Sequence, residues 1–439
     1  MSDVLKELTR WDETICQVAR GHKLDWFDIA YETVSYFDML GAMAYHGLPS
    51  HYPHWSRGKA FELMHIGYNA GVEGLPYELI INSSPSIAYL MVENPLPLQV
   101  LVMAHCVGHS DFFKNNRTFA GTRPETAISR FRNARNRVQS YIEDPSIGIE
   151  AVEEVIDACR ALSYQIDRRG RRRPNEKELL RSYSERVRDG DESLPDDFNL
   201  DKVPLEPEYD VFKFISEQSK TSPAWRSDLI AIIREESLYF MPQIRTKIMN
   251  EGWACFWHYR IMNEMDLPDS LHIPFIKNHN AVVRPTGSTI NPYHVGFETF
   301  KHIEQKFGLD ECFLARETMN DESFIRQYID FELAEKFNFF SFSRKGKKDS
   351  SFISVDDIID DDDGWSKVKE AFIKQIGGNS IPTIYVDDTV DNTLVLRHEH
   401  DGRDIDLNYA DKCVEKIKRL WGGPVKLLTV IENESFEVS

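Results

Sequence analysis

The chain has 439 residues, with 52 Lys and Arg against 71 Asp and Glu, a formal net charge of −19 at pH 7. Hydrophobic residues make up 41% and aromatics 12%, enough for a sizeable core, which excludes global disorder, while 23 Gly and 20 Pro exclude fibrous classes. The acidic excess argues against nucleic acid or an anionic lipid surface as a partner of the chain as a whole.

Residues 1 to about 48 place apolar side chains at helical spacing. Trp26, Ile29, Ala30, Thr33 and Val34 share one face, which predicts an amphipathic helix stopped by Gly47 and Pro49. A short helix is expected around Lys59 to Tyr68. The run YELIINSSPSIAYLMVEN reads as a strand, a turn at Ser83 to Pro85, and a short strand or helix start. After Asn94, Pro95 and Pro97, residues 99 to about 116 predict a helix. A charged, mostly helical stretch follows to about residue 188, with breaks at Pro145 and Pro174 and the basic run RRGRRR from Arg168 to Arg173. That run is expected to be a solvated helix end, with a partner-docking patch as the alternative.

Residues 189–208 are acidic and carry Pro195, Pro204 and Pro207, the pattern of a linker or loop. A second helical block is expected from about 225 to 265 with a break at Pro242. An extended loop over 283–293 and a helix from Tyr293 to Phe307 come next, and helical segments continue to about 339. The run from Asp356 to Gly364 is a solvated acidic stretch without the spacing of a calcium loop. From Pro382 a β-β-(β)-α-β module is expected, with Asp391-Asn392 as a turn. The expected fold class is thus α+β and predominantly helical. The expected divisions are an N-terminal helical part (1–188), an acidic linker or loop (189–208), a second helical part packing with the first (209–375), and a small C-terminal α/β module (376–439).

No apolar run approaches the roughly 20 residues that span a bilayer, and the N-terminus MSDVLKELTRWDETICQ lacks the apolar stretch of a secretion signal, so the expected compartment is the cytoplasm. The six cysteines are far apart with no CxxC pair, which predicts reduced thiols rather than a disulfide framework.

Chemistry concentrates in QVLVMAHCVGHSDFFKNN. His105 and His109 are four residues apart on an apolar helix, so their imidazoles share a face and can chelate one ion. In KIMNEGWACFWHYRIM, Glu251 is an acid on an otherwise apolar helix, costly to bury unless paired. Two histidines and a glutamate with an open fourth position form the catalytic zinc pattern, here a zincin-like core binding zinc or another divalent transition metal. In the HExxH peptidase motif a glutamate base follows the first histidine. Here that position is Cys106, so a base must come from elsewhere: Glu62, Glu78, or Asp111, whose helical angle also suits capping or bracing. His258, seven residues after Glu251 on the same face, is open as ligand, as transition-state hydrogen-bond donor, or as a packed residue. Glu62 and His65 form an ExxH, but the second ExxH of a di-iron bundle is absent. The loop HYPHWSRGK is either packed under the core or faces substrate. Lys114, Asn115 and Asn116 either cap the helix or bind a polar substrate.

Taken together, HYPHWSRGKAFE, GLPYELIINSSPSIAYLMVEN, AHCVGHSDFFKNN, IMNEGWACFWHYRIM and INPYHVGFETFKHIE resemble the stage V sporulation protein R (SpoVR) family, with LWGGPVKLLTV fitting near the C-terminus. The His-x-x-Gly-His pattern of that family is similar to His105, Gly108 and His109, followed by Asp111, Phe112 and Phe113. The resemblance implies a cytoplasmic bacterial or archaeal protein linked to spore-cortex assembly or stress. It also implies serine-kinase-like and von Willebrand A-type proteins as partners. A metal-dependent hydrolase of a peptide or peptidoglycan-related amide is the expected activity; the alternative is a non-catalytic scaffold with a structural or vestigial metal site.

Overall fold

A computed structural model describes residues 3–69, 78–168, 170, 176–191, 193–194, 199–219, 222–285, 290–337 and 362–439. These residues are mostly helical, with one three-stranded and one four-stranded sheet. No helix among them is long and apolar enough to cross a membrane. Contacts divide the chain into two compact units, 1–136 with 242–380 and 137–241 with 381–439.

The first unit is built on three helices: Leu96–Asn115, Lys247–Glu264 and Pro292–Phe307. Pro95 and Pro97 start the first, where a missing N–H is tolerated. Its residues from Leu98 to Phe113 are all buried, so it has no solvent face and runs through the core. Met103, Val107, Phe112, Trp253, Phe256 and Phe300 belong to one apolar cluster around it. Each such side chain contributes roughly 1.5–3 kcal/mol on burial.

Small residues set how closely these helices approach. A Cβ built on Gly108 would lie 2.7 Å from the Ala254 Cα, and one on Gly252 would lie 2.4 Å from the Gly296 Cα. The start of helix Lys247–Glu264 is anchored by buried Asp321, which accepts from the Ile248 and Met249 amides at 3.0 and 2.9 Å. Both amides are among the first donors of the helix, which have no partner within it.

The small sheet of this unit has strands β1 (Ile29–Val34), β2 (Leu79–Ile81) and β3 (Ser86–Met91) in the order β1-β3-β2. β1 runs parallel to β3 from Ile29 opposite Ser86, and β2 is antiparallel to it. Here the structure corrects the expected N-terminal helix. The helix is Asp3–Gly21, Lys23 follows with φ +63°, and residues 29–34 are extended. Ile, Ala, Tyr, Thr and Val in that run suit either reading, and pairing with β3 more than fifty residues away decides it. A new helix, Tyr36–Ala44, starts at a capping box of Ser35 and Asp38. Helix Ala224–Arg245 also runs through Pro242, and the break falls at Thr246, whose hydroxyl donates to the Pro242 carbonyl at 2.7 Å.

In the second unit, β4 (Ile384–Val390), β5 (Thr393–His398), β6 (Val425–Ile431) and β7 (Glu434–Val438) form a sheet in that order. Helix Leu407–Trp421 connects the parallel pair β5 and β6. Asp391 and Asn392 have φ +48° and +63°, as a two-residue hairpin turn requires. Glu432 and Asn433 repeat that conformation, so the additional strand follows the helix rather than preceding it. Residues 356–361 of the acidic run, 169 and 171–173 of the basic run, and 286–289 of the expected loop lie outside the described residues. Positions 362–364 belong to helix Asp362–Gln375.

Candidate metal centre

Helix Leu96–Asn115 directs His105 and His109 to one side, and helix Lys247–Glu264 crosses it at Gly108 and Ala254. That crossing brings Glu251 beside both imidazoles. Glu78, immediately before β2, comes to the same point. His105 Nε2 lies 3.1 Å from Glu78 Oε1 and 3.8 Å from Glu251 Oε2. His109 Nε2 lies 3.9 Å and 3.4 Å from the same two oxygens. One ligand atom from each of the four residues falls within 4.8 Å of the others.

These distances fit an ion. In a tetrahedral site with bonds of about 2.1 Å, neighbouring ligand atoms stand about 3.4 Å apart. His105 Nε2 and Glu251 Oε2 are buried and make no hydrogen bond, although each faces a partner of opposite polarity. Buried polar atoms without a partner cost roughly 1–3 kcal/mol each, and a shared cation would satisfy both. The imidazole side of the cluster is closed, with side chains 2% and 4% exposed, while the Glu78 and Glu251 side chains keep 15% and 16% exposure. The carboxylate side is therefore the more open one.

The charges pair across the cluster. Burial pulls His109 down, but Glu251 and Glu78 outweigh it and push His109 up to about 10. His105 shifts the same way, with Glu78 the main opponent of burial. Burial would raise both glutamates, and the two imidazoles instead hold them below the usual carboxylate range.

Partners behind the two imidazoles fix their orientation. His109 Nδ1 is 2.9 Å from Asn250 Oδ1, and His105 Nδ1 is 2.7 Å from His258 Nδ1. Metal-binding histidines usually hold such a partner on the second nitrogen. His258 is therefore placed behind His105 rather than at the convergence point. Tyr293, at the start of helix Pro292–Phe307, lies beside Glu251, whose charge together with burial pushes the phenol up and keeps it neutral.

The other expected base candidates are placed elsewhere. Asp111 is fully buried and accepts from the Asp25 amide and Trp253 Nε1, both at 2.8 Å, with Arg316 Nε at 3.7 Å. Burial pushes its carboxyl up to about 6 against the pull of Arg316. It braces the helices and faces away from the four converging groups. Glu62 is exposed on helix Trp55–Asn69 and joins none of the ligand clusters among the described residues. Its neighbour His65 stacks near Tyr36 and Phe37. Cys106 is buried, and burial pushes its thiol far above the ordinary value, so it holds no thiolate for catalysis. Lys114 and Asn115 bind Asp25, and Asn116 binds the Arg316 and Met319 carbonyls, so these three close the helix end. His51 and Arg57 are buried against one another at 3.0 Å.

The spacing of histidines and Glu251 was thus readable, while three contributors were not singled out. Asn250 is the residue before Glu251 and its signal was adjacency alone. Tyr293 stands in the quoted INPYH run. His279, whose Nδ1 is 2.7 Å from His258 Nε2, stands on helix Asp269–Val282 after His272, with no spacing relation to the site residues.

Comparison with known proteins covers nearly the whole chain. The family described as SpoVR like protein matches residues 2–381, and the SpoVR-like C-terminal domain matches residues 380–432. The chain belongs to the SpoVR family. It is 31% identical over 476 aligned positions to YcgB of Escherichia coli (strain K12), described as an uncharacterized protein, across 97% of this chain and 92% of that one. No solved structure matches.

Proposed function

We propose that the chain is a metal-dependent hydrolase with a zincin-like site, acting on a peptide or peptidoglycan-related amide. His105, His109 and Glu251 would hold one divalent transition metal, zinc first. The observation that carries this reading is the convergence of two imidazoles and two carboxylates with His105 Nε2 and Glu251 Oε2 buried and unsatisfied. A metal held there supplies a Lewis acid that polarises a carbonyl and acidifies water.

In this reading Glu78 is the general base. Its carboxylate is ionised at neutral pH, reaches solvent, and approaches His105 Nε2 as closely as 3.1 Å. Tyr293, beside Glu251, would turn its hydroxyl from that carboxylate to a substrate oxygen. The family name ties the process to sporulation, and the amides of peptidoglycan peptides are the matching substrate class.

A second reading is favoured by one observation. Glu78 lies as near the imidazoles as Glu251 does, and four protein ligands make the closed set of a structural metal site. The protein would then be a scaffold in a sporulation or stress complex. Zinc-loaded protein incubated with muropeptides and a peptide library decides between them. The hydrolase reading expects new amines from the wild type, and a Glu78→Gln variant that keeps zinc but loses about 10²- to 10⁴-fold in rate, as for a lost general base. No amine from the wild type, with zinc lost from Glu78→Gln, supports the scaffold.

A further inference from the structure

Behind His105 the structure holds a chain of imidazoles outside the group formed with Glu78, His109 and Glu251. His105 Nδ1 is 2.7 Å from His258 Nδ1, and His258 Nε2 is 2.7 Å from His279 Nδ1. The three rings are 1%, 0% and 2% exposed. His279 is held between Tyr259 and Phe297, with ring centroids 4.6 and 4.9 Å away. A 2.7 Å nitrogen-to-nitrogen contact needs one nitrogen with a proton and one without, so neither contact can join two fully protonated rings.

We propose that His258 and His279 are positioning residues that lock His105 as the Nδ1–H tautomer and present its Nε2 lone pair to the metal. The inference rests on the metal-centre reading above. A neutral imidazole has one donor and one acceptor nitrogen. Each 2.7 Å contact holds a single proton, so fixing one ring fixes the next. With Nε2 of His105 facing Glu78 and Glu251, its Nδ1 carries the proton and donates to His258 Nδ1. His258 then carries its proton on Nε2 and donates to His279 Nδ1, and His279 carries its own on Nε2. The reverse arrangement would aim a proton from His105 Nε2 into the point where the ligand atoms converge.

A metal-bound histidine ordinarily donates to a carboxylate or a backbone carbonyl, which can only accept. An imidazole acceptor is ambivalent, so by itself His258 does not select a tautomer. His279 is ambivalent in the same way, so the chain takes its sense from the His105 end: an ion at His105 Nε2 sets all three protons, and His258 and His279 then hold the His105 Nδ1–H in place. Packing alone would fill the space with aromatic or aliphatic side chains. It gives no reason for two successive nitrogen-to-nitrogen contacts in line with a ligand.

The test is made on the full chain with zinc as the probe. Long-range ¹H–¹⁵N spectra of zinc-loaded wild type labelled in histidine should show His105 and His109 as Nδ1–H and His258 and His279 as Nε2–H. Zinc affinity by chelator competition should fall about 10- to 100-fold in His258→Phe. His258→Asn, which keeps an acceptor near the Nδ1 position, should restore most of that loss, and a merely space-filling residue would not follow this order. His279→Phe should weaken binding less and leave His258 in a mixture of tautomers. A wild-type spectrum with His258 as Nδ1–H overturns the inference, as does a His258→Phe variant that binds zinc as tightly as the wild type. If His258→Phe does not fold, the wild-type spectrum decides alone. Folded wild type that binds no zinc overturns the metal centre itself, a result distinct from a zinc site with the wrong tautomers.

Discussion

Gly108 packs its bare Cα so closely on Ala254 that a Cβ there would stand 2.7 Å from the Ala254 Cα. Three residues before Gly108 is His105, one after it is His109, and three before Ala254 is Glu251. This tight contact of the two helices is therefore also the place where the two imidazoles and Glu251 meet. The same device recurs on the other side of helix Lys247–Glu264, where Gly252 meets Gly296.

Gly108→Ala should accordingly separate the ligand helices as well as strain them. Overpacking of this kind costs about 1–3 kcal/mol. Urea unfolding should show a lower midpoint at unchanged slope, and the folded variant should bind zinc more weakly. A variant with wild-type stability and wild-type affinity would show that this contact does not set the site.

Anchoring of the glutamate helix gives a second expectation. Asp321 satisfies two buried amides, of Ile248 and Met249. Asp321→Ala leaves both without a partner, at about 1–3 kcal/mol each. Asp321→Asn keeps one acceptor oxygen and should lose less. Equal stabilities of the two variants in urea would contradict the role given to these hydrogen bonds.

The sequence carried the histidine helix, Gly108 and Glu251 plainly, because a 3.6-residue period converts spacing into a shared face. Glu78 was visible only as one acid among several. It heads the short strand read from YELIINSSPSIAYLMVEN, and only the fold brings it to His105. The strand at 29–34 was hidden for a related reason: its apolar positions also suit a helix, and the partner that extends it is β3, remote in sequence. His279 and Asn250 were illegible as supports because hydrogen bonding between rings depends on side-chain orientation, which spacing does not encode. The second hairpin turn, Glu432-Asn433, opens on a glutamate where the first has a turn-favouring aspartate, and its positive φ values appear only in the structure.

Asp111 separates bracing from chemistry. Its carboxylate faces Arg316 and Trp253, not the converging ligands. Breaking a buried charge pair by removing one member costs about 3–5 kcal/mol, so Asp111→Ala should be strongly destabilised. The fraction that remains folded should still bind zinc with wild-type stoichiometry. Loss of zinc from well-folded Asp111→Ala, measured by elemental analysis, would give Asp111 a place at the metal instead.

Zinc affinity should rise with pH. Glu251 and Glu78 overcome burial to keep a proton on His109 up to about 10, and the ion must displace that proton to bind. Below that value the proton competes, and above it the competition ends. Each proton displaced adds about one log unit of apparent affinity per pH unit. Competition titrations between pH 6 and 9 should therefore show a positive slope, and His109→Ala should remove most of the binding. A flat profile over that range would contradict the charge pairing.

The central claim, that His105, His109 and Glu251 hold one metal ion with Glu78 beside it, is tested most directly by elemental analysis of the purified full-length protein after exposure to zinc and exhaustive dialysis. The account predicts about one equivalent per chain for a site of this ligand set, and its loss in His109→Ala and Glu251→Ala. A fully folded wild type that retains no transition metal under those conditions would contradict it.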